Sequence, residues 1–164
     1  MELTTKKIAK GNIEGNFAKV PMELYDYIQL EIISHRDAIV YVKLYDLYNE
    51  EYGYAYPTIP QLMTSTGIRS KATIHRCLKN LDKVGLIEKR KTKWGNNTYL
   101  VYKPLEKNEL YKYYPDKLKE FKKFEAKVMD IAENDKARFQ YHNQQSLEQP
   151  EIYSKQIMPK MSDM

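Results

Sequence analysis

From Lys71 to Val84 the apolar residues Ile74, Cys77, Leu78, Leu81 and Val84 recur at spacings of three, one, three and three. That rhythm predicts an amphipathic helix. Ser70 precedes it as an N-cap, and Gly85 follows as a left-handed residue that closes it. Upstream, Thr58 caps a shorter helix. Pro60 sits in its first turn, where a missing N–H costs nothing, Ile59, Leu62 and Met63 form its apolar face, and Gly67 stops it. Three residues separate the two helices. Beyond Gly85 the pattern turns extended: Leu86 to Lys93 and Thr98 to Lys103 read as two strands joined by a turn at Trp94-Gly95-Asn96-Asn97, and Pro104 ends the pairing.

The flanks are less regular. Residues 1–16 are polar, with Gly11 and Gly15, and read as a flexible arm. Phe17, Val20 and Pro21 suggest an extended piece, and Met22 to Leu30 one or two helical turns. Ser34 with Asp37 three residues on starts a longer helix that runs without Gly or Pro to about Tyr52, before Gly53 ends it and Tyr54 to Pro57 form an extended link. Its apolar residues, from Ala38 and Ile39 through Tyr48, cover more than one face. One side is then core, and the other meets a neighbouring helix or a second copy of the chain. After Pro104 a further helix is expected from Pro115 to about Glu133, striped with Leu118, Phe121, Val128 and Ile131. Residues 134–164, rich in Gln, Asn, Pro and Ser, read as a disordered tail. The divisions expected are thus an arm at 1–16, a domain at 17–104, a helical extension at 105–133 that could dimerise or hold a protein partner, and a tail at 134–164. The fold class is mainly α with a small β hairpin.

Charge sharpens this picture. The 164 residues carry 27 Lys and Arg against 22 Asp and Glu, a modest net +5. Between Gly67 and Pro104, however, ten basic side chains face only Asp82 and Glu88. A solvated helix face would mix signs, so this segment points to a polyanion. The single cysteine, Cys77, permits no intrachain disulfide and reads as a small core residue, which fits a cytoplasmic location. His35, His75 and His142 show no ligand spacing, and no phosphate-binding glycine loop, nucleophile elbow or paired carboxylates stand out. No metal, cofactor, membrane span or catalysis is expected.

Short helix, tight turn, amphipathic helix and hairpin, in that order, form a winged helix-turn-helix. With Ile74, Cys77, Leu78 and Leu81 inward, Ala72, Arg76, Lys79 and Lys83 face outward, with Thr73 and Asn80 on a flank. Such a helix fits the major groove of double-stranded DNA. Its N-terminal residues reach furthest, so Ser70, Lys71, Thr73 and Arg76 are the candidates for base contacts, with Arg69 and Thr58 close by. Arg76 suits guanine, Asn80 adenine or phosphate, and Lys79 and Lys83 the backbone. The hairpin offers Lys89, Arg90, Lys91 and Lys93, then Trp94, Asn96 and Asn97 at its tip, for a phosphate backbone or the minor groove. Trp94 either stacks on a sugar or base or packs on its own hairpin. Tyr41, Tyr45, Tyr48 and Tyr52, at helical spacing, read as packing or interface residues rather than a platform for single strands.

The run YPTIPQLMTSTGIRSKATIHRCLKNLDKVGLIEKRK resembles bacterial winged-helix regulators of the GntR and MarR kinds. With FAKVPMELY, DAIVYVKLYDLYNE and NNTYLVY added, residues 17 to 103 resemble winged-helix proteins of Gram-positive plasmids and phages, including the amino-terminal domains of replication initiators and of DnaD-type primosomal proteins. The resemblance implies duplex DNA binding, often by a homodimer, through Ser70, Lys71, Thr73, Arg76 and the wing. It implies a role in plasmid or phage replication or maintenance. A transcriptional repressor and a protein-protein interaction module are the alternatives, and, unlike in the initiators, no substantial second domain is expected.

Overall fold

The structure is a computed structural model that describes Gly15 and residues 17–148, with side chains through residue 145. The element order is α1 (Leu24–Gln29), α2 (His35–Asp46), α3 (Ile59–Thr66), α4 (Lys71–Lys83), β1 (Ile87–Lys91), β2 (Asn97–Val101), α5 (Lys107–Tyr113) and α6 (Pro115–Glu148). The chain divides into two units, Met1–Leu118 and Lys119–Met164.

The first unit is built around α2, α3 and α4, which pack on one another. Leu62 of α3, Ile74, Leu78 and Leu81 of α4, and Val40, Tyr41 and Leu44 of α2 are all essentially inaccessible to water. Burying each leucine contributes roughly 2 kcal/mol, so this cluster holds the three helices together. The α4 stripe is the one that the apolar spacing predicts. Its end is a Schellman motif: the Leu86 N–H donates to the Leu81 carbonyl at 3.0 Å and the Gly85 N–H to the Asp82 carbonyl at 3.1 Å. Gly85 takes φ +80°, a left-handed value that a side chain resists, and turns the chain from α4 into β1.

The hairpin pairs antiparallel from Ile87 with Val101 to Lys91 with Asn97. Its loop lies one to two residues earlier than the sequence suggests. Asn97 is already in the ladder, and the turn closes on Thr92, whose N–H donates to the Asn96 carbonyl at 2.9 Å and whose hydroxyl accepts from the Asn96 N–H at 3.2 Å. The hairpin is fixed to the core by the Tyr41 hydroxyl, which donates to the Tyr102 carbonyl at 2.7 Å. Ala55 exchanges both backbone hydrogen bonds with Tyr99, at 2.9 and 2.8 Å, and so adds a one-residue third strand.

Two expectations about helix length are corrected. The helix from Ser34 ends at Asp46, not near Tyr52. Asn49 diverts the chain: its side-chain oxygen accepts from the Tyr52 N–H at 2.9 Å, and the Gly53 N–H donates to its carbonyl at 2.8 Å, so a local turn competes with the helix and wins. At the other end, α6 continues to Glu148, well past Glu133, so residues 134–148 are helical. Between Asp116 and Gln149 there is no Gly or Pro, and i,i+3 pairs such as Lys122 with Glu125 and Asp135 with Arg138 support an exposed helix. Residues 149–164 of the expected tail, and the expected arm apart from Gly15, lie outside the described residues. The segment after Pro104 is also not one extension. Its α5 belongs to the first unit, where Leu110 is buried and α5 packs on α1, while the Leu105 N–H donates to the Tyr27 hydroxyl at 3.1 Å. The second unit, from Lys119, carries Phe124, Val128, Met129 and Ile131 exposed along its helix.

One contact ties α2 to α4 directly. Asp37 is buried, and its Oδ2 accepts from the Ser34 N–H at 2.7 Å, completing a capping box, and from the Asn80 side-chain amide at 2.8 Å. Asp37→Ala removes the carboxylate half of the capping box, leaving the Ser34 N–H without its acceptor, and strips the Asn80 amide of its partner; it is expected to cost about 2–3 kcal/mol. Asn80→Ala should cost about 1–2 kcal/mol, and the double variant clearly less than the sum, because both changes break the same bond. Urea denaturation checks this. Strictly additive losses would show that the two side chains do not act as one unit.

Candidate nucleic-acid interface

The turn between α3 and α4 begins at Gly67, left-handed at φ +73°, and ends at Ser70, whose hydroxyl accepts from the Thr73 N–H at 3.2 Å. With the apolar stripe of α4 turned inward, Lys71, Ala72, His75, Arg76, Lys79, Asp82 and Lys83 are exposed. Ser70 and Arg69 are exposed beside them, and Thr73 is half-buried. The Arg76 guanidinium donates to the Thr73 hydroxyl at 3.4 Å, a long bond that aligns the side chain without holding it. Ser70, Lys71, Thr73 and Arg76 thus share the first half of one helix, as the sequence suggests. Thr58 is spent on α3, accepting from the Gln61 N–H at 3.2 Å while the Gln61 side chain accepts from the Thr58 N–H at 2.8 Å.

Asn80 lies half-buried on the flank of α4, but its amide has a partner inside the molecule. Its amide is directed into the molecule at Asp37 rather than outward, because one more residue along a helix turns a side chain by about 100° toward the stripe. The groove beside it, about 750 Å³, runs between the start of α2 and α4. It gathers Arg36 and His35 with Arg76, Lys79 and Lys83. Sequence reasoning missed Arg36, which is separated from α4 by more than thirty residues and is brought there only by the packing of α2 on α4.

The wing follows α4 directly and contacts it through β1. Lys89, Arg90, Lys91 and Lys93 are exposed, as is Asn96, and Asn97 is half-buried. Trp94 is 89% exposed, so it does not pack on its own hairpin. The acid of the wing is internally matched. Glu88 accepts from Arg90 Nε at 2.7 Å and from the Tyr102 hydroxyl at 2.6 Å, and these two hydrogen bonds hold its carboxyl below the usual range. Arg90 therefore offsets Glu88, and Lys89, Lys91 and Lys93 carry the net charge of the wing. Among the described residues no group of three or more His, Cys, Asp or Glu is placed to hold a metal, and no helix is long and apolar enough to cross a membrane.

Behind this surface two buried groups are held protonated. Burial, then the hydrogen bond and charge of Asp37, push the Cys77 thiol from 9.0 to about 12. Burial also pushes the Tyr41 phenol from 10.0 to about 12. Both groups hold their protons more tightly folded than unfolded. The stability they contribute is fully present below the unfolded values and is lost as pH rises through the folded ones. Denaturation midpoints should be flat from pH 7 to 8.5 and fall from about pH 9 toward 12, and Cys77 should resist thiol reagents at pH 8 until the chain unfolds. Rapid labelling of the folded protein would show that the thiol is not enclosed.

Residues 30–87 match the model of a helix-turn-helix domain family, a stretch that takes in α2, α3 and α4. No curated protein matches the chain. Among solved structures, one described as "N-Terminal domain of DNA binding protein" is 18% identical with a TM-score of 0.48, covering 69% of this chain and 95% of its own. Another, described as "Structure of Rep-DNA complex", is 16% identical with a TM-score of 0.48, covering 68% of this chain and 95% of its own. Likenesses of that size carry no argument about function. The helix-turn-helix match over residues 30–87, with the hairpin Ile87–Val101 set against α4, gives the first unit a winged helix-turn-helix fold.

Proposed function

We propose that the chain binds duplex DNA, with α4 in the major groove and the wing along the phosphate backbone or in the minor groove. The observation that carries this is the single sign of charge on the exposed side of α4 and the wing. Lys71, Arg76, Lys79 and Lys83 on the helix, and Lys89, Lys91 and Lys93 on the wing, are opposed only by Asp82, because Glu88 is matched by Arg90. An exposed helix of this diameter fits the major groove, and lysines at its edge attract phosphates by releasing counterions. Arg76, near the N-terminal end of α4, is the candidate for guanine, while Ser70, Lys71 and Thr73 flank it. Arg36 joins Lys79 and Lys83 on the backbone.

The resemblance to plasmid and phage initiators supports a place in the replication or maintenance of such an element. A transcriptional repressor would use the same surface, and this site does not require an enzyme. Binding to random-sequence duplex DNA at several salt concentrations tests the core of the reading. Lys91→Ala should weaken every sequence alike and lower the salt slope by about one, while Arg76→Ala should cost roughly tenfold or more on a selected target and relax its sequence preference. No binding at low salt would overturn the proposal in favour of a protein-partner module.

A homodimer is part of the same proposal. The outer side of α2 is not covered within the first unit: Ile39 is 50% exposed, and with Phe17, Val20 and Tyr25 it lines an apolar groove of about 740 Å³. Two copies joined there would present two recognition helices to half-sites spaced by whole helical turns. Light scattering should give twice the chain mass, and Ile39→Glu should halve it. A monomer at high concentration would remove the dimer and leave the DNA reading intact.

A further inference from the structure

Of the three tyrosines after α2, Tyr52 leaves the helical register expected for it and joins Tyr54 and Tyr56 of the extended link. Tyr52, Tyr54 and Tyr56 cluster with ring centroids 5.8 to 6.1 Å apart, and Tyr52 and Tyr56 remain 58% and 52% exposed. The turn at Asn49 and the pairing of Ala55 with Tyr99 place them beside the hairpin. Tyr54 and Tyr56 flank Ala55 and therefore leave this short strand on one face. In the antiparallel register set by that pairing, Tyr56 lies opposite Thr98, and Thr98 lies opposite Arg90. One aromatic ring and the Arg90 cation thus stand in one row across the sheet, about 10 Å from end to end at two strand spacings.

Beside the rings is a groove of about 640 Å³ between the start of α3 and the wing turn. Its other wall is polar, with Gln61, Thr92, Asn96 and Asn97. Exposed rings in contact with one another, a wall of amides and a hydroxyl, and Lys93 in the wing turn that borders the groove fit one ligand chemistry better than others. Rings accept the flat face of a base, amides address its edge, and Lys93 in the turn attracts its phosphate. A paired duplex cannot supply that face, because its bases are stacked on each other.

We infer that this groove binds unpaired nucleobases, making it a site for single-stranded DNA, as at a fork or a melted segment, distinct from the duplex surface on α4. It shares the phosphate attraction of the wing with the duplex reading and otherwise does not depend on it.

The test uses the full chain, with fluorescence anisotropy on a short oligothymidylate, an abasic strand of the same length and a blunt duplex. The wild type should bind the oligothymidylate well above the abasic strand. Tyr52→Ala with Tyr56→Ala should lose roughly tenfold or more on the oligothymidylate and stay within about twofold on the duplex, whereas Phe at both positions should keep the affinity. Arg76→Ala should do the reverse, losing the duplex and keeping the oligothymidylate. Equal binding of oligothymidylate and abasic strand by the wild type would overturn the inference without any variant. An equal loss on both DNA forms, in a double alanine variant whose melting is unchanged, would overturn it too. If the oligothymidylate binds and the duplex does not, the proposed function falls and this site stands.

Discussion

The buried carboxylate of Asp37 is the constraint on which the arrangement of helices depends. A charge out of water must be surrounded by donors, and here they come from two elements, the Ser34 backbone at the start of α2 and the Asn80 amide on α4. Hydrophobic packing of α2 on α4 is nondirectional and would tolerate some sliding. A hydrogen bond of 2.8 Å does not. Burial first, and then the same carboxylate, keep the neighbouring Cys77 thiol protonated, so the inner side of α4 stays apolar in effect while its outer side is free to be basic.

That division of α4 into a sealed face and a charged face is continued by the wing. Gly85 reverses the chain without a gap, and β1 places basic side chains close to those of α4. Within the hairpin, the ion pair of Arg90 with Glu88 removes one charge of each sign. Both partners are exposed, and such pairs add little to stability. Its effect is on the electrostatic pattern, since the remaining wing charge is lysine alone. Lysine is a mobile point charge suited to following phosphates, whereas Arg76, aligned by Thr73, carries a planar fork of donors.

The tyrosine cluster shows how a local competition changes what a surface can do. Had α2 continued to Tyr52, that ring would have extended the line of Tyr41, Tyr45 and Tyr48 along the helix. The side chain of Asn49 ends the helix early, Tyr52 swings toward Tyr54 and Tyr56, and an aromatic wall forms beside the wing. The open apolar face of α2 remains on the other side, so the first unit carries two surfaces of different chemistry besides the basic one.

The sequence by itself determined the elements whose signals are local. The apolar rhythm of α4, the caps at Ser34, Thr58 and Ser70, and the left-handed glycines at 67 and 85 each act within a turn of their own position, and each is found where the sequence places it. The excess of basic residues between Gly67 and Pro104 was legible for the same reason, because consecutive elements carry it. Only the tertiary structure decided what depends on residues distant in the chain. It turned Asn80 inward to Asp37, brought Arg36 beside Lys79 and Lys83, joined Tyr102 to Glu88 across the hairpin, and set three tyrosines against the wing. Helix ends were misread where weak forces balance, at Asn49 and beyond Glu133, since a side chain that bonds its own backbone or a run without breakers leaves no mark in apolar periodicity. Periodicity reports which side of an element is buried; which side chains then meet is settled by how the elements pack.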